Sequence, residues 1–466
     1  MALKAGFWYV ISTFLVKAIS FITTPIFSRL MDNTSYGEFS NYASWQGTLL
    51  IITGAELYNT LSRAYYDYKE DYDKYVSSVA VFSCILTASI YVMFLLCGSW
   101  LYKIVSIPPQ FVHIMFFTLT FQSCKQIYLA KERTLYRYKS VAAISFISLI
   151  VPTLISVVLV ILAPAQQRLG ARIYGFYTPW SVIGLVCLIV MLLRGRSFRW
   201  SHCKYAITLS LPLMVHYLTA YLLTSTNTTV TKGVLGAETT AVVSIATSAV
   251  NILTILFHAT SGALTTWLMD NLEQKKNASV RRGLLFYVLG VSAVSLGVIL
   301  MGPELIWILG GRKYAASLTL LPGMVVAVTI QSLTTVFTII LTYRKRVAKT
   351  AIYTAVVAGI SITGKILLLP VFGVEILPWI NIIAFGSLFF INYLLVRKTG
   401  DAPVINLKIF CFCILLLALL IVLSGHLYAH SLVRYAIICC AAISVLFVAY
   451  KKRSLIIKLL KKKLKK

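Results

Sequence analysis

Long hydrophobic runs recur along the whole chain, separated by short polar segments that hold most of the charge. A helix needs about 20 apolar residues to cross a hydrocarbon core. Fourteen spans are predicted: 5–28, 39–61, 76–98, 109–129, 140–163, 173–193, 207–227, 240–268, 283–302, 317–341, 351–369, 379–396, 409–427 and 435–450. The pattern is that of helices, since a membrane barrel shows short alternating strands instead. The first 28 residues lack the small-residue cleavage site of a signal peptide and read as a retained first helix. No connection exceeds about 16 residues, which leaves no room for an extramembrane catalytic domain. The expectation is an all-α polytopic membrane protein that is not an enzyme.

The basic residues orient it. With the N-terminus on side one, that side carries 32 lysines and arginines and the other side carries 8. Three more (Lys17, Lys125, Lys365) lie within spans. A fourfold bias in short loops marks side one as cytoplasmic, with both termini inside. The tail 451–466 holds nine basic residues and reads as an anchor on anionic lipid. The segment Arg63–Tyr75 holds five tyrosines and reads as an interfacial belt.

Composition narrows the class. Hydrophobic residues make up 59%, charged residues 12%, and mean hydropathy is +0.84. Those values exclude a soluble globular protein, a disordered chain and a disulfide scaffold. The net charge of +29 follows topology, so nucleic acid is not expected as a partner. Nine cysteines without a CxxC pair support neither a zinc site nor a disulfide framework. No GK[ST] loop is present, so direct ATP use is not expected, and no cofactor or metal is implied.

Two stretches look alike: FQSCKQIYLAKERTLYRYKSVAAI (121–144) and IQSLTTVFTIILTYRKRVAKTAIYT (330–354). Their Gln-Ser pairs, Gln122-Ser123 and Gln331-Ser332, are six spans apart. An even-numbered repeat keeps its orientation, so the halves should relate by an axis along the membrane normal. The expected division is a first lobe at 1–200 (spans 1–6), a second at 201–400 (spans 7–12), added spans 13–14 at 401–450, and the basic tail.

Ionisable groups inside spans are costly and usually face a cavity or a partner. Lys17 shares one helix stripe with Thr13, Ser20, Thr24 and Ser28. It faces a central cavity or pairs with Glu56. Glu56, on a polar face of the second span, is either a proton or cation site or the counter-charge of Lys17 or Arg63. His216, after Pro212, is either a packing residue or a substrate or proton site. Span eight adds Ser244, Ser248, Asn251, Thr254 and His258 on one face, and Asn227-Thr228 end span seven. Lys125 and Lys365 lie near span ends and are expected to snorkel. Arg29 and Lys232 are placed at the outer mouth. The candidate substrate-binding residues are therefore Lys17, Arg29, Arg63, His216, Asn251 and His258, with Glu56 and His216 as candidates for ion or proton coupling. These groups are mostly cationic or neutral, which suits an anion.

Three stretches resemble a known family. PIFSRLMDNTSYGEFSNYASW (25–45) is similar to the P-x-x-x-R-L-…-Y-G-x-F pattern of bacterial polysaccharide flippases in the multidrug/oligosaccharidyl-lipid/polysaccharide exporter superfamily. SLPLMVHYLTAYLL (210–223) is similar to their L-P-x-x-x-H stretch, and PELIWILGGRKYAAS (303–317) to their outward loop with Gly-x-x-Tyr. Many members carry an Asp-Arg pair late in span seven, where this chain has Asn227-Thr228. The resemblance implies two six-helix bundles, as in multidrug exporters, that alternate about a cleft lined by spans 1, 2, 7 and 8. It implies transport of an undecaprenyl-diphosphate-linked oligosaccharide, such as an O-antigen or capsule repeat unit, across the bacterial cytoplasmic membrane. Membrane lipids and polysaccharide assembly proteins (a polymerase, a chain-length regulator) are the implied partners. The rivals are an ion-coupled drug or metabolite antiporter of the same fold and a membrane polysaccharide polymerase or ligase. The short outward loops argue against the last.

Overall fold

The computed structural model describes residues 22–344, 346–399 and 405–439. Lys17, Thr13 and Ser20 lie outside the described residues, as do most of the first and last predicted spans and the basic tail. Helix α1 covers 22–30. Helices α2 (Asn33–Gly54), α3 (Leu61–Asp67), α4 (Tyr72–Leu96), α5 (Gly98–Val105), α6 (Pro109–Thr134), α7 (Tyr138–Leu162) and α8 (Arg168–Gly195) complete the first half. The second half holds α9 (Trp200–Leu235), α10 (Ala237–Glu273), α11 (Asn277–Leu300), α12 (Gly302–Gly310), α13 (Ser317–Tyr343), α14 (Val347–Phe372) and α15 (Leu377–Arg397). Helix α16 (Leu407–Ala429) and the helical residues 431–439 (α17) follow. Among the described residues there is no strand. In a bilayer only a helix satisfies its own backbone, so apolar runs between polar breaks become helices.

Among the described residues, ten helices are long and apolar enough to cross a membrane. Helices α2 and α6 match two more predicted spans in length but fall outside that set. Both carry polar rows, and their glutamines meet: the Gln46 amide donates to Gln122 Oε1 at 3.3 Å. The breaks have local causes. Asp32 caps α2 by accepting from the Ser35 amide at 2.9 Å. Gly236, at φ +87°, makes the turn between α9 and α10.

The element order repeats. Helix α4 is followed by the short α5, and α11 by the short α12. A 3₁₀ turn joins α7 to α8 and another joins α14 to α15. Packing follows the same order, with α6 against α8 as α13 is against α15, and α2 against α6 as α10 is against α13. Gln122-Ser123 and Gln331-Ser332 sit on the corresponding helices α6 and α13. Helix α2 bridges the halves, packing on α6 and also on α9 and α10.

Three expectations change. Lys125 and Lys365 do not snorkel. Lys125 is buried in α6 with its ammonium 4.0 Å from the Trp180 ring centroid. Lys365 is 0% exposed and donates to the Leu223 carbonyl (3.2 Å) and Thr226 Oγ1 (2.9 Å), tying α14 to α9. Both stems point into the protein, where a ring face or a helix carbonyl replaces water. The tyrosines of 63–75 form a packed cluster as well as a surface. Tyr66 is exposed, but Tyr72 and Tyr75 are buried, and Tyr68 stacks on Tyr75 at 5.3 Å. His202 and Tyr205 of α9 close over them. Beside this cluster Lys74 donates to Asp71 at 2.6 Å and, with Arg199, holds its carboxyl below the usual carboxylate range.

Replacing Lys365 by Ala should empty a buried site and cost about 2–4 kcal/mol. Lys365→Met keeps most of the volume and should cost under about 1.5 kcal/mol. Thermal unfolding in detergent checks the order; equal losses would show that the ammonium, not the packing, matters.

Candidate functional site

A cavity of about 360 Å³ lies where α2, α9, α10, α13 and α15 meet. Helix α9 contributes Tyr217, Tyr221 and Asn227, which recur at helical spacing on one face. Helix α10 contributes Asn251, Thr254 and His258 in the same manner. Gln331 of α13 and Asn381 of α15 complete a set of four amides. The Asn227 and Asn381 carbonyl oxygens are buried and have no hydrogen-bond partner. A buried orphan acceptor is costly, so these oxygens are aimed at water or a ligand. A second cavity of about 130 Å³ shares Thr254, His258, Val328 and Gln331 and extends the groove toward Tyr287 and Ser332, whose hydroxyls lie 2.9 Å apart.

Glu56 enters from α2, where the backbone departs from a plain span. Ala55 and Glu56 both take positive φ (44° and 53°) and end α2, and a 3₁₀ turn over Leu57–Thr60 follows. Two successive left-handed non-glycine residues cost energy that their surroundings must offset. The turn places the carboxylate on the cavity wall, where Oε2 accepts from Asn59 Nδ2 at 2.7 Å.

At the end away from the basic loops the halves are latched. Ser28 donates to the Leu309 carbonyl (2.5 Å), and Arg29 donates to Ile308 (2.9 Å) and Trp307 (3.1 Å). Lys313 donates to the Met31 carbonyl at 2.7 Å, and within the first half Arg168 donates to that of Leu30. Burial holds the Lys313 ammonium below its usual pKa, against the pull of Asp32. The Arg172 guanidinium lies 3.9 Å from the Phe27 ring and 3.6 Å from Phe39. Lys232 pairs with Glu38. Backbones touch here too: a Cβ on Gly37 would lie 1.9 Å from the Ala237 carbonyl oxygen. At the basic-loop end, among the described residues, α9 alone reaches the first half by hydrogen bonds, with Tyr205 donating to Asp67 at 2.5 Å and His202 Nδ1 lying 3.3 Å from the Ser78 hydroxyl. Further along, Asn251 and His258 are exposed on the cavity wall.

Of the residues singled out in the sequence, Glu56, Asn251 and His258 come together in the cavity. Arg29 is in the latch. Arg63 is exposed on α3 and pairs with Asp67 at 3.1 Å, away from the cavity. His216 is half-buried beside Tyr217 (ring centroids 5.6 Å), next to the lining rather than among it. Lys17 lies outside the described residues. Among the described lining residues there is no lysine or arginine, and Glu56 is the charged one. Sequence reasoning missed Tyr217, Tyr221 and Asn381; the spacing of the tyrosines and a lone amide in an apolar span were the available signals.

Among the described residues, a repeated helical bundle with long apolar spans and a polar cavity on its seam defines a multi-pass membrane protein. The chain belongs to the polysaccharide biosynthesis protein family, which matches it over residues 2–268. Its fold is shared with the lipid II flippase MurJ in an inward closed conformation, at 12% identity and a TM-score of 0.70, covering 96% of this chain and 99% of that one. It is also similar to an inward-facing multidrug resistance MATE transporter of the MOP superfamily (12% identity, TM-score 0.60, 84% and 98% covered). An outward-facing MATE transporter of that superfamily gives 10% identity, a TM-score of 0.58, and coverage of 85% and 94%. A comparison with curated protein sequences finds no significant match.

Replacing Gly37 by Val should force α2 from Ala237 and weaken the latch by about 1–3 kcal/mol. A cysteine at position 251, in a chain otherwise cleared of cysteines, should then react roughly ten-fold faster with an impermeant maleimide added at the latched end. An unchanged rate would show that Gly37 does not control this closure.

Proposed function

We propose that this protein flips a polyprenyl-diphosphate-linked oligosaccharide from the inner to the outer leaflet of the bacterial cytoplasmic membrane. The single observation that carries this is a polar, amide-rich cavity on the seam of two repeated halves. The family membership supports a role in polysaccharide biosynthesis. The likeness to a lipid II flippase supports the fold such a substrate needs.

In this proposal the lobes are residues 1–200 and 201–400, with fourteen spans and both termini in the cytoplasm. The basic-loop end is cytoplasmic, so the latched state faces inward. The glycan enters the cavity, where amides and tyrosines meet sugar hydroxyls and ring faces, while the lipid tail stays in the bilayer. Lys17, which precedes α1 in the sequence, is the candidate cation for the diphosphate. Rocking of the lobes breaks the Ser28, Arg29 and Lys313 contacts and exposes the head group outside. Each negative charge moved outward is favoured by about 2.3 kcal/mol per 100 mV. Glu56 and His216 are the candidates for proton coupling; Asn227 stands where relatives carry an acid and cannot serve. O-antigen or capsule repeat units are the proposed cargo, handed to a polymerase and chain-length regulator.

The MATE-like fold keeps an antiporter as the second reading, favoured by Glu56 in the cavity. The test is flipping of a fluorescent lipid-linked oligosaccharide in proteoliposomes. Lys17→Ala should abolish flipping at normal protein levels, and Gln331→Leu should slow it roughly ten-fold by leaving a sugar hydroxyl unpaired. Full activity in Lys17→Ala would rule out its phosphate role. Absence of flipping by the unaltered protein, with cation-driven efflux of small amphiphiles, would favour the antiporter.

A further inference from the structure

A third cavity lies apart from the seam, between the first turns of α11 and α16. Its volume is about 400 Å³, and it is lined by Ala278, Arg281, Arg282 and Asn406 above Leu285, Ile409 and Phe410. Both arginines are exposed, and neither has a hydrogen-bond or ion-pair partner among the described residues. The two helices pack on each other and present the same end to the cavity. Neither N-terminus is capped by a side chain: Lys276 before α11 and Asn406 before α16 make no such bond. Two uncapped N-termini with free backbone amides add their dipoles where the guanidinium pair sits. Lys275, Lys276 and Lys408 stand at the same helix starts. The acid at the end of α10, Glu273, is engaged by the Tyr343 hydroxyl at 2.5 Å.

We infer that this cavity is a binding site for the headgroup phosphate of an anionic glycerophospholipid. The apolar lining decides for a lipid over a soluble anion. Directly beyond the arginines both helices turn apolar, and exposed apolar side chains continue along them: Leu289 on α11, and Phe412 and Leu415 on α16. An acyl chain leaving the headgroup has a continuous greasy track. Arginine suits the head because its fork holds a phosphate by two parallel hydrogen bonds. Phe410 at the cavity's base stacks on Phe337 of α13 at 5.7 Å, so a lipid seated here braces α16 against the second-half core. The site is independent of the cargo proposed above.

The test is native mass spectrometry of the full chain in detergent with phosphatidylglycerol as the probe. The unaltered protein should retain at least one lipid. Arg281→Gln with Arg282→Gln should weaken retention about thirty-fold, or about 2 kcal/mol, at about 1 kcal/mol per basic residue. Arg194→Gln with Arg196→Gln, which removes equal charge at the same end of the first half, should leave it unchanged. A Lys pair at 281 and 282 should keep part of the binding and confirm that the double variant is folded. Equal retention by the Gln pair, equal retention of phosphatidylcholine by the unaltered protein, or full displacement by millimolar inorganic phosphate would each overturn the proposal.

Discussion

A polar group in a hydrocarbon slab must find a partner or reach water, and this constraint shapes the protein at every level. Backbone amides satisfy it by forming helices, so the chain is a bundle. Buried lysines satisfy it locally: Lys365 on a helix carbonyl and a threonine, Lys125 on an indole face. The groups left over gather on the seam. Asn227 and Asn381 keep unpartnered carbonyl oxygens where α9 and α15 face the same cavity. A protein selected for stability alone would replace them with leucine. Their presence marks the seam as a place where water or a hydroxylated ligand belongs.

The latch shows how such a seam can close without becoming permanent. Its cross-seam bonds run from Ser28, Arg29 and Lys313 to backbone carbonyls near helix ends, and the two that Arg29 meets belong to the exposed residues Trp307 and Ile308. A carbonyl uncovered as the halves part exchanges its bond for one to water, which keeps the cost of release small. Arg172 over Phe27 and Phe39 lies wholly within the first half and braces its side of the latch. A latch of buried ion pairs would be harder to reverse, because separating them strands a charge.

Much of the fold was legible in the sequence, because length and apolarity decide which segments cross a bilayer. The repeat was legible from Gln122-Ser123 and Gln331-Ser332, which sit on equivalent helices. Asn251 and His258 were found because a polar row on an apolar helix points to a cavity. What escaped notice was set by tertiary contacts. The break at Ala55-Glu56 follows Gly54, but the two left-handed residues are themselves not glycine, and a lone glycine in an apolar run does not announce a turn of this kind. Arg63 was drawn to the second span's polar face, but that break turns it outward to Asp67. The inward aim of Lys125 and Lys365 depends on Trp180 and on α9, which no local pattern reveals. The short helices α5 and α12 read as loops because each is under ten residues.

The central claim is that the latched end and the basic-loop end open in alternation. Pulsed electron spin resonance on two label pairs, Lys103 with Arg312 at the latched end and Tyr136 with Lys275 at the other, tests it directly. On adding lipid-linked oligosaccharide, the first distance should lengthen as the second shortens. Two distances that stay fixed, or that lengthen together, would contradict the account.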